Sequence, residues 1–354
     1  MRNISIDETN LITKGCLSIT ANNCNECLCK AYQNTHVILF TCNSFSSHNV
    51  SCTLYCYAPA SQYFIHTTNA SSVYIIRYGQ NCCNWSWLIE QINNAINNTV
   101  RISEPRFLAL DDDGNIITTS KYEKLVVKYN PNNLTEITRS HRLDDPPVNV
   151  GYYKQHYYVG FENKPMEIFN STFHKLDGLI NDGGLKSPLT IAFRDDTMFI
   201  CTQIKDIVLY DVKDPKNIRE IEKVEVKEDG VALAPRGLLI IDNTNFYTAS
   251  FDSNNIKIYS KSGVGSWTFA TFIQAHTDVK AKNVTDFRMD DCGRVWIVDE
   301  GFHHIKIFQG DDLIGTITGL NEPFNLLILK NYVLIITQKS GEIIRIDPRV
   351  SCNK

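Results

Sequence analysis

Residues 290–308 read DDCGRVWIVDEGFHHIKIF. A polar turn carrying Gly293 leads into the β-prone run Val295-Trp296-Ile297-Val298, Asp299 ends that run, and Ile305-Lys306-Ile307-Phe308 returns beside it. A hairpin this small cannot bury its own apolar face and needs neighbours. Five weaker copies supply them. The returning runs end at Tyr129, Phe169, Tyr210, Tyr259, Phe308 and Ile346, at spacings of 40, 41, 49, 49 and 38 residues.

The outgoing runs repeat as well: NIITTS, HYYVGF, MFICTQ, NFYTAS, RVWIVD and YVLIIT, each preceded by an apolar run such as FLAL, LTIAF or FNLLIL. Three strands per repeat are visible, and Leu134-Thr135-Glu136-Ile137-Thr138 offers a fourth. A period near 40 built from strands points to a six-bladed β-propeller, not a helical solenoid. After Ile343-Ile344-Arg345-Ile346 too few residues remain for an outer strand. Val100-Arg101-Ile102-Ser103, just ahead of the first repeat, is placed to supply it and close the ring.

Composition divides the chain near residue 100. The first hundred residues hold nine of the 12 cysteines and only eight charged residues. A disulfide-stapled extracellular module is the expectation from this pattern. The cysteine candidates are Cys16, Cys24, Cys27, Cys29, Cys42, Cys52, Cys56, Cys82 and Cys83, with Cys352 at the far end expected to bridge to Cys82 or Cys83. Zinc is the rival use of Cys24-x2-Cys27 with His36 and His48, but seven cysteines between Cys16 and Cys56 overshoot a four-ligand site.

Eight glycosylation triplets begin at Asn3, Asn49, Asn69, Asn84, Asn97, Asn133, Asn170 and Asn283, in keeping with secretion. The opening residues Met1 to Asp7 lack an apolar core, so a secretory leader is expected upstream of this sequence. No apolar run reaches the ~18 residues of a membrane span. A net charge of -4 exerts no bulk pull on nucleic acid, and none is expected as a partner.

Two resemblances sharpen the reading. The pattern D-x-x-G-[NR]-hydrophobic-aromatic-V-x-D followed by H-x-I-x-x-F, at residues 290–308, resembles the NHL repeat of six-bladed propellers; Asp111 to Ile116 and Phe251 to Tyr259 are partial copies. WD40 lacks its Gly-His and Trp-Asp markers here. Cys42-Asn43-Ser44-Phe45 and Cys52-Thr53-Leu54-Tyr55 resemble the two cysteine strands of the PAN/apple module, which would pair Cys42 with Cys27 or Cys29 and Cys52 with Cys24 or Cys27. The fold class is therefore read as mainly β, a six-bladed propeller preceded by a small disulfide-rich α+β domain. The expected division is a segment at 1–15, an apple-like domain at 16–83, a bridging helix at 84–99 carrying Trp85, Leu88, Ile92 and Ile96, and the propeller at 100–354.

The apple-like resemblance implies recognition of a protein or glycan, and the chain is read as a recognition protein without a cofactor. Trp267, Phe269 and His276, in one of two insertions at residues 213–229 and 262–281, are the ligand-surface candidates. The alternative is a propeller hydrolase of the lactonase type with a metal in its central channel. Arg106, Asn149, Thr190, Asp286 and Asn325 stand where such a channel would be lined, and of these Asp286 alone is acidic. Among other polar residues, Asp299 caps a strand, Asp111-Asp112-Asp113 reads as a solvated turn, and His303-His304 face opposite ways. Cys201 and Cys292 carry no nucleophile signature.

Overall fold

The computed structural model describes residues 84–176, 188–203, 206–228, 231–250, 255–261, 266–273 and 283–350, and six strands before them. Contacts divide the chain into two compact units: Met1–Asn93 with Lys330–Tyr332 and Pro348–Lys354, and Asn94–Leu329 with Val333–Asp347.

In the first unit Leu17–Ala21, Asn49–Tyr55, Leu39–Ser46 and Ser71–Ile75 form one antiparallel sheet in that order, and Ile4–Ile6 pairs with Phe64–His66. Cys42 and Cys52 lie opposite each other in the ladder. The segment expected as a bridging helix is helical only over Trp85–Asn93, where Asn84 accepts a hydrogen bond from the Trp87 amide at 3.3 Å as its cap. Leu88 and Ile92 are buried there; Ile96 already belongs to a strand. No described helix is long and apolar enough to cross a membrane.

The second unit is a six-bladed β-propeller. Blade 1 is Pro105–Leu110, Ile116–Ser120, Leu125–Tyr129 and Glu136–Arg139. Blade 2 is Pro147–Tyr153, His156–Phe161 and Glu167–Asn170. Blade 3 is Pro188–Arg194, Thr197–Thr202, Asp206–Asp211 and Arg219–Glu225. Pro235–Asp242, Asn245–Ser250, Ile256–Lys261 and Trp267–Ile273 make blade 4. Val284–Met289, Val295–Asp299, His304–Gln309 and Asp312–Ile317 make blade 5. In blade 6, Pro323–Ile328, Leu334–Gln338 and Glu342–Asp347 take their outer strand from Ile96–Arg101. Each innermost strand touches that of the next blade, and the last touches the first, so the ring is closed.

The apolar runs are unbroken because the second strand of each blade is covered on both faces. Ile116–Ser120, Val295–Asp299 and Leu334–Gln338 are buried at every residue, whereas the outer strand Glu136–Arg139 is exposed throughout. The core is accordingly distributed over seams between blades. One seam sets Tyr158 and Ile168 of blade 2 against Met198, Ile200 and Val208 of blade 3. Another sets Ile116 and Val127 of blade 1 against Ile335 and Ile343 of blade 6. Each such side chain contributes about 1.5–3 kcal/mol by leaving water.

The turn that opened the sequence reading is held by one carboxylate. Asp290 Oδ1 accepts from the Cys292 and Arg294 amides at 2.9 and 3.0 Å, and Oδ2 accepts from Arg294 Nε at 2.6 Å and Trp296 Nε1 at 2.9 Å. Gly293 takes φ 72° to close it, a left-handed conformation that suits a residue without Cβ. Asp111 repeats the arrangement with Asp113, Asn115 and Lys128, and Gly114 takes φ 78°. Only Asp112 and Asp113 of that triplet are solvated; Asp111 is buried, contrary to the sequence reading. Asp299 is also buried, accepting from the Phe302 amide at 3.1 Å and pairing with Lys306 at 2.9 Å.

Candidate functional site: the mouth of the channel

Five of the six innermost strands begin with proline: Pro105, Pro147, Pro188, Pro235 and Pro323. Proline suits the first position of a strand because it has no amide to donate. In all six blades a bulge follows at once. The register is thereby reset at the same point, and the second and third residues of each strand form two equivalent sets around the axis.

The third residues stitch blades together. Asn149 Nδ2 donates to the Leu189 carbonyl at 2.7 Å, and Thr190 Oγ1 donates to the Arg236 carbonyl. Asp286 Oδ2 accepts from the Leu326 amide at 3.2 Å, and Asn325 Oδ1 accepts from the Leu108 amide at 3.1 Å. In blade 4 the position is Gly237, where a Cβ would lie 2.5 Å from the Phe287 ring. Four of the five channel candidates therefore spend polar groups on neighbouring blades.

Asp286 is fully buried, with Arg288 Nη1 2.9 Å from Oδ1. The approach is close, yet it is not aligned as a hydrogen bond, and Oδ1 has no such partner among the described residues. Burial outweighs the attraction of Arg288 and the amides of Leu326 and Phe287, and pushes the carboxyl up to about 6.

Arg106 differs from the other candidates. It pairs with Glu104, its guanidinium lies 4.8 Å from the centre of the Phe324 ring, and Lys339 Nζ lies 4.8 Å from the same centre. Lys339 pairs with Glu300, and Lys121 with Glu162 at 3.2 Å. Burial holds the Arg106 guanidinium below its usual range, with Glu300 and Glu162 acting against that and Arg236 adding to it. Lys339 is lowered by the same desolvation, opposed by Glu300 and reinforced by Arg106 and Arg236. A blade 1 side chain that feels charges from blades 2, 4 and 5 and stacks on blade 6 must lie near the axis. Arg236 holds the same strand position in blade 4 that Arg106 holds in blade 1.

All these groups sit on the face where innermost strands begin. Backbone on that face is held in the left-handed region at Glu104 (φ 48°), Asn283 (φ 66°) and Glu322 (φ 52°). The Glu322 amide donates to His303 Nδ1 at 3.0 Å, tying a blade 5 loop to the start of blade 6. On the opposite face a cleft of about 470 Å³ is lined by Asp111, Asp112, Tyr152, Tyr153 and Lys154. There Tyr152 Oη donates to Asp112 at 3.3 Å.

Trp267 and Phe269 stand elsewhere, in the outer strand of blade 4. Trp267 is half-buried with its ring 5.0 Å from Phe246, and Phe269 is exposed 5.5 Å from Tyr259. His276 lies outside the described residues. Both stretches read as insertions supply outer strands, Arg219–Glu225 and Trp267–Ile273. Arg236, Lys339, Glu300 and Phe324 were missed in the sequence. Pro105-Arg106 and Pro235-Arg236, at one repeat position, were the available signal.

A lactonase-type metal does not fit this channel. Asp286 is engaged by Arg288 and Leu326, Asn149 and Asn325 serve neighbouring blades, and Glu104, Glu162 and Glu300 are paired with Arg106, Lys121 and Lys339. Among the described residues no three His, Cys, Asp or Glu converge as metal ligands.

No protein-family model matches the chain, and no curated protein matches it. Solved structures do. A gluconolactonase from Xanthomonas campestris aligns with TM-score 0.57 and 12% identity, over 74% of this chain and 93% of its own. Virginiamycin B lyase from Staphylococcus aureus aligns with TM-score 0.54 and 11% identity, over 72% of this chain and 99% of its own. At such identities the likeness is one of fold.

Proposed function

We propose that the chain is an extracellular recognition protein of NHL-repeat type, binding a protein or glycan at the channel-mouth face, with an apple-like module in its first hundred residues. One observation carries this reading: the carboxylates near the channel mouth, Glu104, Glu162 and Glu300, are each paired with a cation, Arg106, Lys121 and Lys339, where a metal-dependent hydrolase needs carboxylates converging on an ion. The secretory part rests on the cysteine density and glycosylation triplets of the sequence, with Cys52 and Cys292 both disulfide-bonded. Asn84, Asn97 and Asn133 are exposed and accessible to a glycan.

The hydrolase alternative draws on the two structural neighbours, both enzymes by description. Two assays on secreted, full-length protein separate the readings. A panel of sugar and aliphatic lactones with calcium or zinc added should show no turnover, while a glycan and cell-surface protein array should yield saturable binding. Metal-dependent lactone hydrolysis abolished by Asp286→Asn would replace recognition with catalysis.

A further inference from the structure

We infer that the cleft on the face opposite the channel mouth binds a neutral sugar residue, held between the first hairpin turns of blades 1 and 2. Leu110, Asp111 and Asp112 line it from blade 1, and Tyr152, Tyr153, Lys154 and Gln155 from blade 2. Its volume of about 470 Å³ falls within the range of small-ligand sites. Lys154 (φ 47°) and Gln155 (φ 63°) both stand in the left-handed region, where a two-residue hairpin turn favours asparagine and glycine. A long cation and a long amide are kept there against that preference.

Much of the lining is already fixed. Asp111 pairs with Lys128 at 2.8 Å, Lys154 pairs with Asp196, and Tyr153 donates to the Asp195 carbonyl while its ring stacks on Phe193 at 5.0 Å. Asp112 and Gln155, both exposed, keep hydrogen-bonding capacity. Among the described residues the Asp112 carboxylate accepts one bond, from Tyr152 Oη at 3.3 Å, and the Gln155 amide makes none. Burial and the neighbouring Asp112 push the Tyr152 phenol up to about 12, so it keeps its proton at neutral pH. With Asp111 and Lys154 balanced, Asp112 leaves the cleft one negative charge, which repels an anion. A hydroxyl both donates and accepts, so a pyranose can donate to Asp112 and accept from Gln155 at once. An ammonium only donates, and Lys154 repels it from the same cleft. The Tyr152 ring, seated on Tyr157 at 5.1 Å, and Leu110, 38% exposed, give the C–H face of the sugar an apolar wall.

The test is saturation-transfer NMR, with titration, of the full-length protein against the methyl glycosides of glucose, galactose, mannose and N-acetylglucosamine, with methylamine and sodium glucuronate in parallel. At least one glycoside should bind saturably, and its affinity should hold as salt rises from about 50 to about 500 mM, because a neutral ligand is not screened. Asp112→Ala should weaken binding at least about tenfold and Tyr152→Ala at least about fivefold, whereas Lys175→Gln, on the outer part of blade 2, should leave it unchanged. Asp112 is exposed, so its variant decides if Tyr152→Ala fails to fold. Saturable binding by none of the four glycosides, wild-type affinity in folded Asp112→Ala, or binding of methylamine or glucuronate without any glycoside would overturn the inference. The cleft lies apart from the channel mouth, so lactone turnover removes the recognition reading and not this site, while loss of this site leaves array binding at the mouth intact.

Discussion

Asp290 holds its turn with both carboxylate oxygens, each accepting two hydrogen bonds. Replacing it with alanine takes the paired carboxylate from the buried Arg294 guanidinium and the acceptor from the Trp296 indole, so Asp290→Ala should cost about 3–5 kcal/mol by urea unfolding. Asp113→Ala, at an exposed position of the equivalent turn, should stay within about 0.5 kcal/mol. Asp286 gives a pH signature. Its carboxyl titrates higher in the folded chain than the ordinary 3.8, so folding favours its protonated form. That stabilisation is complete below pH ~4 and is lost as pH rises through about 6, amounting to about 3 kcal/mol. Asp286→Asn cannot titrate. The stability of wild type minus variant should therefore fall between pH 4 and pH 7; a flat difference would mean the carboxylate is ionised throughout, paired with Arg288.

At the scale of elements, the strand Ile96–Arg101 closes the ring by pairing with Glu342–Asp347 from Ile96↔Asp347 to Arg101↔Glu342. Thr99 presents an exposed side chain there, so Thr99→Pro isolates the backbone contribution. It should cost about 2–3 kcal/mol in thermal unfolding, and Thr99→Ala much less; equal effects would mean the closure matters little. The need for this strand was legible because the last repeat runs out of chain, but its bounds were not. The sequence reading placed it at Val100 to Ser103, since Asn97-Asn98-Thr99 carries no apolar alternation to mark a strand. The Asp290 turn was legible for the converse reason: turn chemistry is local. Trp267 was not, because an indole packed on an outer strand and one on a loop have the same neighbours in sequence. Four channel candidates share the third position of their strands, yet their use between blades depends on the bulge at each strand start, which periodicity does not display.

The whole molecule shows why recognition and a metal-dependent reaction make different demands on one fold. Six blades repeat the same strand start around one axis; here four of the third residues are occupied in joining blades, and Arg106 of the second set is paired with Glu104. The partners already made by these side chains therefore decide what the channel can hold. Anomalous diffraction from crystals of the full chain grown with calcium or zinc reads this directly. The account predicts no metal at the channel mouth, with Arg106 on Glu104 and Asp286 on the Leu326 amide. A metal held there by Asp286, Asn149 and Asn325 would contradict it.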